Sequence, residues 1–204
     1  MRKFHALAAL TLGLSLVLTA CGSDDKTASN APSPTQHNAA DVTFATQMIQ
    51  HHAQALAMVD LTMGRDLDPQ VQKLAEQIRE AQAPEIETMV GWLTDWNEPI
   101  PATVRDHVNS EGHDMGNMGG SDMPDMGTDM PGMMSDADMT ALENASAAEF
   151  QGMWLTMMIA HHQGAVQMAA IEEADGRYQP AIDLAKQIQR SQTAEIDTMK
   201  NLVS

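Results

Sequence analysis

The chain has 204 residues and a formal net charge of −17, because 28 aspartates and glutamates outweigh 11 lysines and arginines. A chain this acidic is excluded as a nucleic-acid-binding protein and as a basic helix lying on a membrane, since both need clustered positive charge. Its single cysteine excludes an internal disulfide.

The first twenty residues have the features of a bacterial lipoprotein signal peptide. Arg2 and Lys3 precede a charge-free apolar stretch over residues 6–20, which is too short for a membrane-spanning helix. Small residues stand directly before Cys21, as a lipoprotein signal peptidase requires. We expect residues 1–20 to be removed and Cys21 to carry the lipid; the alternative is an ordinary secretory signal with an incidental cysteine.

Processing at Cys21 would have two consequences. The mature protein would be extracytoplasmic, would touch the cell membrane through its N-terminal lipid only, and would have a formal charge of −19. It would also have no thiol, which excludes a thiolate metal site. Residues 21–40 contain almost no large apolar side chain, so they are predicted to be a disordered tether in which His37 is solvated.

The remaining chain contains an internal repeat. Met48-Ile49-Gln50-His51-His52 recurs as Met158-Ile159-Ala160-His161-His162, an offset of 110 positions. The offset holds without a gap for further pairs, among them Ala55 with Ala165, Gln82 with Gln192, Glu85 with Glu195 and Met89 with Met199. A constant offset over this length indicates a duplication.

The first copy, residues 41–97, is predicted to be a helical hairpin. Its apolar residues recur at helical spacing, Asp41 is a candidate N-cap, and residues 64–69 form the turn. Pro84 lies inside the second helix, where it removes a backbone hydrogen bond, so a kink or a restart is expected near Ala83.

The second copy, residues 135–203, is predicted to be the matching hairpin. Its first helix is expected to begin at Ser135 or Asp136 and to run to about Ala174, where Asp175-Gly176 ends it. The last helix is expected to open at Pro180. Two hairpins with one apolar face each can bury those faces against one another, which predicts an all-α fold, a four-helix bundle with an approximate two-fold axis.

The paired histidines lie on the apolar faces of the two copies. The first histidine of each pair shares its helical face with the methionines three positions before it and seven positions after it. Imidazole and thioether together suit copper, Cu(I) in particular, better than they suit magnesium, calcium or manganese. The alternative is that these are structural histidines, hydrogen-bonded to side chains on the partner helix: Gln82, Glu85, Gln192 or Glu195.

The connector, residues 98–134, changes composition abruptly after about His113. Met-x-x-Met units follow one another among Gly, Pro, Asp and Ser, in a segment that is not expected to be helical before Ser135. Flexible thioethers at short spacing can wrap a soft ion such as Cu(I) or Ag(I), so the connector is a second candidate metal-binding element; low-complexity drift is the alternative. Its candidate ligands are His113, Met115, Met118, Met123, Met126, Met130, Met133 and Met134.

Two motifs make the chain resemble the domain-of-unknown-function 305 family over about residues 41–203. They are Phe44-x3-Met48-Ile49-x-His51-His52-x2-Ala55-x2-Met58 and Trp154-Leu155-Thr156-Met157-Met158-Ile159-Ala160-His161-His162-Gln163-Gly164-Ala165. The resemblance implies a ferritin-like four-helix bundle exported from a bacterial cell. Some cyanobacterial relatives are periplasmic copper-binding proteins with Met and His ligands. The resemblance therefore implies copper binding at Met48, His51, His52, Met58, Met158, His161, His162 and Met168.

Enzymatic functions find little support in the sequence. A di-iron carboxylate oxidase needs Glu-x-x-His motifs, and this sequence has none. No nucleophile stands beside a His-Asp pair and there is no Gly-rich phosphate loop. We therefore expect a non-enzymatic protein that sequesters copper or hands it to an exchange partner. The alternative is a non-metallic, surface-tethered bundle that acts as an envelope interaction module, and a homodimer is compatible with both.

Overall fold

The computed structural model describes residues 31–108 and 130–203. Within these ranges the chain forms six helices and no strand: α1 (Ala39–Asp60), α2 (Pro69–Asp95), α3 (Val104–Val108), α4 (Asp136–Glu143), α5 (Ala147–Asp175) and α6 (Gln179–Val203). Outside the described residues lie the predicted signal peptide, the predicted lipidation site Cys21 and five candidate ligands of the connector: His113, Met115, Met118, Met123 and Met126.

The four long helices form the two expected hairpins. α1 packs against α2 and α5 packs against α6, while contacts between α1 and α5 join the two hairpins. The all-α bundle predicted from the duplication is confirmed. The short helices α3 and α4 flank the undescribed part of the connector, and α3 was not predicted from the sequence.

The first helix begins earlier than the sequence indicated. Asn38, not Asp41, is the N-cap: its side-chain oxygen accepts from the backbone N–H groups of Ala40 and Asp41. Asp41 completes a capping box by accepting from the Asn38 backbone N–H at 2.6 Å. Its carboxylate also accepts from the backbone N–H groups of Arg177 and Tyr178, so this buried side chain ties the start of α1 to the α5–α6 loop.

Two further expectations concern helix continuity. α2 is a single helix through Pro84, so of the two alternatives near Ala83 the restart is wrong. The single helix expected from Ser135 to Ala174 is two helices, because α4 ends at Glu143, with Asn144 as its C-cap residue, and α5 has Ser146 as its N-cap residue. Ser and Asn favour caps over helix interiors because their side chains compete for backbone hydrogen bonds.

Residues 31–38, assigned to a disordered tether from the sequence, contact the bundle. Ser33 exchanges backbone hydrogen bonds with Arg177 and Gln179, and His37 stacks on Trp96 with ring centroids 4.3 Å apart. The prediction that His37 is simply solvated is therefore wrong. No helix in the described part of the chain is long and apolar enough to span a membrane.

The buried core consists of two apolar clusters. One contains Met58 and Met158 and the other contains Met48 and Met168. Each cluster therefore contains one of these methionines from α1 and one from α5: Met48 with Met168, and Met58 with Met158. This is the pairing expected of two antiparallel helices. This arrangement places the histidine pairs between the two clusters along the helices.

Candidate metal centre

All four paired histidines are completely buried, each with 0% of its surface exposed. The rings of His51 and His161 lie against each other across the α1–α5 contact, with centroids 3.7 Å apart and planes inclined by 37°. The His161 and His162 rings are 6.4 Å apart. The duplication therefore brings the equivalent first histidines of both copies together at one place in the middle of the bundle.

The second histidine of each pair is hydrogen-bonded to a glutamate within its own hairpin. His52 Nε2 lies 2.8 Å from Glu85 Oε2, and His162 Nε2 lies 2.6 Å from Glu195 Oε2. Glu85 and Glu195 are themselves related by the repeat offset. Both glutamates were among the four side chains named from the sequence as possible hydrogen-bond partners of the histidines.

His51 Nε2 has a different partner, the backbone carbonyl of Pro131, at 3.1 Å. A carbonyl oxygen can only accept, so Nε2 carries the hydrogen and the neutral ring has its lone pair on Nδ1. Nδ1 of all four histidines, and Nε2 of His161 in addition, are buried without a hydrogen-bond partner among the described residues. Histidines that bind metals commonly donate their other ring N–H to a carboxylate or a backbone carbonyl in this way.

Burial also keeps the two stacked rings uncharged. It lowers the pKa of His51 from 6.5 to about 3, and the neighbouring His52 adds to the effect. Burial is likewise the main reason that the pKa of His161 is well below its ordinary value, followed by the charge that His51 would carry. A neutral imidazole is the form that binds a metal ion.

The buried methionines are the remaining candidate ligands in the bundle. Met48, Met58 and Met158 have no exposed surface, and Met168 is 5% exposed. Among the residues that the structure describes, no group of three or more His, Cys, Asp or Glu side chains is placed to hold a metal ion. The buried thioethers are therefore the candidates to complete an imidazole ligand set in this centre.

The end of the connector reaches the histidine centre. The backbone N–H of Met133 donates to Met130 O at 3.2 Å, and Gly132 has a positive φ of 78°. Pro at the second position and Gly at the third are the pattern of a type II turn. Met130 is 9% exposed, whereas Met133 and Met134 are half-buried. Sequence reasoning identified these methionines as candidate ligands but missed the contact between Pro131 and His51.

This turn is seated against α1 and α5 by two kinds of contact. The Gln54 side chain makes two hydrogen bonds with the Met134 backbone, donating to its carbonyl at 2.8 Å and accepting from its N–H at 2.7 Å. On the other side, Gly164 leaves no room for a side chain, since a Cβ there would lie 1.8 Å from the Pro131 carbonyl oxygen. Neither Gln54 nor Gly164 was identified from the sequence as part of the centre.

Comparisons with known proteins show the family and the fold of the chain. The family model described as a domain of unknown function, DUF305, matches residues 41–203. A DUF305 protein from Streptomyces coelicolor, described as a candidate secreted protein, is 31% identical; 80% of this chain and 89% of that chain are covered, with a TM-score of 0.64. A DUF305 fragment from Deinococcus radiodurans is 28% identical, with 81% and 96% covered and a TM-score of 0.64.

A third solved structure, CopM in its Cu(II)-bound form, is 30% identical, with 80% of this chain and 95% of that chain covered and a TM-score of 0.61. CopM also matches in Cu(I)-bound and silver-bound forms, with TM-scores of 0.59 and 0.58. No curated protein matches the chain.

Proposed function

The chain belongs to the DUF305 family, and on that premise we propose that it is an extracytoplasmic copper-binding protein, anchored to the membrane by a lipid on Cys21. The observation that carries the proposal is the state of the buried histidine nitrogens. Three rings have Nε2 oriented by an acceptor, and all four have Nδ1 buried without a partner. A buried polar atom left without a partner costs about 1–3 kcal/mol, and a bound ion would remove that cost.

The surroundings favour Cu(I) over harder ions. The centre offers neutral imidazole and thioether within an apolar core, the soft ligand set that suits Cu(I) and Ag(I). Calcium, magnesium and manganese prefer several oxygen ligands. The glutamates in this region already face His52 and His162. CopM, which is similar to 79% of this chain, was solved with Cu(I) and with silver.

The role that fits this centre is sequestration or hand-over of copper. The histidines have no exposed surface, so a bound ion would be kept away from water and from other reactants. His51, His52, His161 and His162 would supply nitrogen, and Met48, Met58, Met158 and Met168 would supply sulfur. We propose the Met-rich part of the connector as a second, more accessible element that collects Cu(I) outside the bundle.

A non-metallic function remains the second candidate. The hydrogen bonds from His52 to Glu85 and from His162 to Glu195 would stabilise a bundle that binds no metal. In that case the protein would be a tethered interaction module of the cell envelope. Such a module gives no reason for His161 to have both ring nitrogens buried without a partner.

An anaerobic Cu(I) titration of the mature protein against a colorimetric chelator tests the proposal. The variants are a double His51→Gln, His161→Gln change and, as controls, His37→Gln and Met63→Leu, which alter a histidine on Trp96 and a methionine that is 68% exposed. We expect the double variant to lose the tight binding of the bundle and to keep only the stoichiometry of the connector, whereas both controls keep the full wild-type competition with the chelator. If the wild-type protein does not compete with the chelator for Cu(I), the copper proposal is refuted and the interaction module is the remaining candidate function.

A further inference from the structure

The turn Met130–Met133 covers one side of the histidine centre. Pro131 is exposed, yet its carbonyl oxygen lies 3.1 Å from Nε2 of His51, a residue with no exposed surface. On this side, a single layer of backbone thus separates the ring from solvent. The backbones of Ala160 and His161 face the same turn from α5, where a Cβ on Gly132 would lie 2.5 Å from the Ala160 carbonyl oxygen.

The turn is held in place by two residues that occupy equivalent positions in the repeat but contact it differently. Gln54 and Gly164 are equivalent positions under the offset of 110. The first holds the turn through two hydrogen bonds to Met134, and the second admits it by having no side chain. Both copies of the duplication are thus adapted to one turn that crosses between them.

We infer that this turn is the gate of the histidine centre, through which a soft cation such as Cu(I) or Ag(I) enters and leaves. The inference rests on the proposed function, because it concerns access to the same site. The turn leaves Nδ1 of His51 without a partner, so it can stay closed over an ion held by that nitrogen. A gate of this kind sets the rate at which the cation enters and leaves the centre, and it does not change which residues bind the cation.

The energetics favour this route over separation of the helices. Releasing the turn breaks the two Gln54 hydrogen bonds, the His51 contact and local packing, whereas separating α1 from α5 would expose both core clusters. Local opening of a few hydrogen bonds is populated far more often than global unfolding. Metal exchange through the turn is therefore the route with fewest contacts to break.

A matched pair of glycine substitutions on α5 tests the gate without any metal. Gly164→Ala places a Cβ against Pro131, whereas a Cβ on Gly152 meets nothing within 4 Å. Both changes raise helix propensity equally. The readout is the rate at which diethyl pyrocarbonate, which acylates neutral imidazole, modifies His51 in the full mature protein, measured by mass spectrometry of peptides.

We expect Gly164→Ala to accelerate modification of His51 by about tenfold or more, and Gly152→Ala to match the wild-type rate. Far-ultraviolet circular dichroism establishes that each variant is folded. Should Gly164→Ala fail to fold, Gln54→Ala takes its place, with Gln47→Ala, two turns nearer the start of α1, as its control. A folded Gly164→Ala or Gln54→Ala protein whose His51 reacts at the wild-type rate overturns the gate.

The second readout uses the metal. In the opened variant we expect the rates of Cu(I) uptake from a weak chelator and of withdrawal by a strong chelator to rise together by about tenfold, with affinity changed less than about threefold. A faster withdrawal with an unchanged uptake rate, and hence a loss of affinity of about tenfold, would overturn the gate and make the turn part of the ligand set. If the wild type binds no Cu(I), the proposed function fails, and the His51 modification rates still decide whether the turn closes the centre.

Discussion

The low pKa of His51 predicts how the metal-free protein loses stability in mild acid. Its pKa is about 3 in the folded protein and 6.5 in the unfolded chain, because the buried site disfavours the charged ring. Between these values the unfolded chain binds more protons than the native state. Stability therefore falls as the pH falls from 6.5 towards 3.

The size of this loss follows from the same two pKa values. Linkage gives a loss of about 2 kcal/mol from His51 alone when the pH is lowered from about 7 to about 5. The pKa of His161 is lowered in the same direction, so it adds to the loss. This is a large share of the about 5–15 kcal/mol that stabilises an ordinary domain.

Urea unfolding followed by far-ultraviolet circular dichroism at several pH values measures the effect. His51→Gln removes the titrating ring but keeps an amide that can donate to the Pro131 carbonyl. We expect this variant to lose about 2 kcal/mol less than the wild type over the same pH interval. Met48→Leu, a volume-conserving change in the same core, should keep the wild-type pH dependence. An equal loss in His51→Gln and wild type would refute the argument from the buried ring.

Three further changes have definite expected outcomes. Burial raises the pKa of Glu172 from 4.5 to about 9, so the native state retains a proton that the unfolded carboxyl releases, and stability falls as the pH rises through that interval. Glu172→Gln should flatten the decline in thermal unfolding temperature, and a decline as steep as in the wild type would count against the raised pKa. Glu85→Gln removes the carboxylate that orients His52 and should lower Cu(I) affinity by about tenfold in chelator competition; unchanged affinity would exclude His52 as a ligand. Trp154→Phe deletes the 2.9 Å hydrogen bond from Nε1 to the Met58 carbonyl and should cost about 1–3 kcal/mol in urea unfolding, so a change within error would show that water replaces the donor.

The repeat made the bundle predictable from the sequence. A constant offset relates His51 to His161, so once each copy forms a hairpin the two histidines occupy equivalent positions. Their burial follows from the helical spacing of the apolar residues around them, which is a local property of the chain. For the same reason, the possible hydrogen-bond partners of His52 and His162 could be limited to a few side chains of the partner helix, which included Glu85 and Glu195.

The contacts of the connector could not be predicted in this way. Pro131-Gly132 is recognisable as a turn, but the hydrogen bond from His51 joins residues 80 positions apart, and no periodicity encodes it. The break between α4 and α5 was missed because the apolar spacing continues on both sides of Ser146. The continuity of α2 through the exposed Pro84 likewise depends on tertiary packing, which overrides a local preference.

The turn explains why two positions related by the offset of 110, Gln54 and Gly164, have unlike residues. A segment that crosses an approximate two-fold axis can be present only once, so it must contact one repeat differently from the other. Glutamine at position 164 would place a side chain where the Pro131 carbonyl lies, and glycine at position 54 would remove both hydrogen bonds to Met134. The same asymmetry gives Nε2 of His51 a partner and leaves both ring nitrogens of His161 without one. The two adjacent rings are therefore unequal as candidate ligands, because the backbone of the turn orients His51 and does not orient His161.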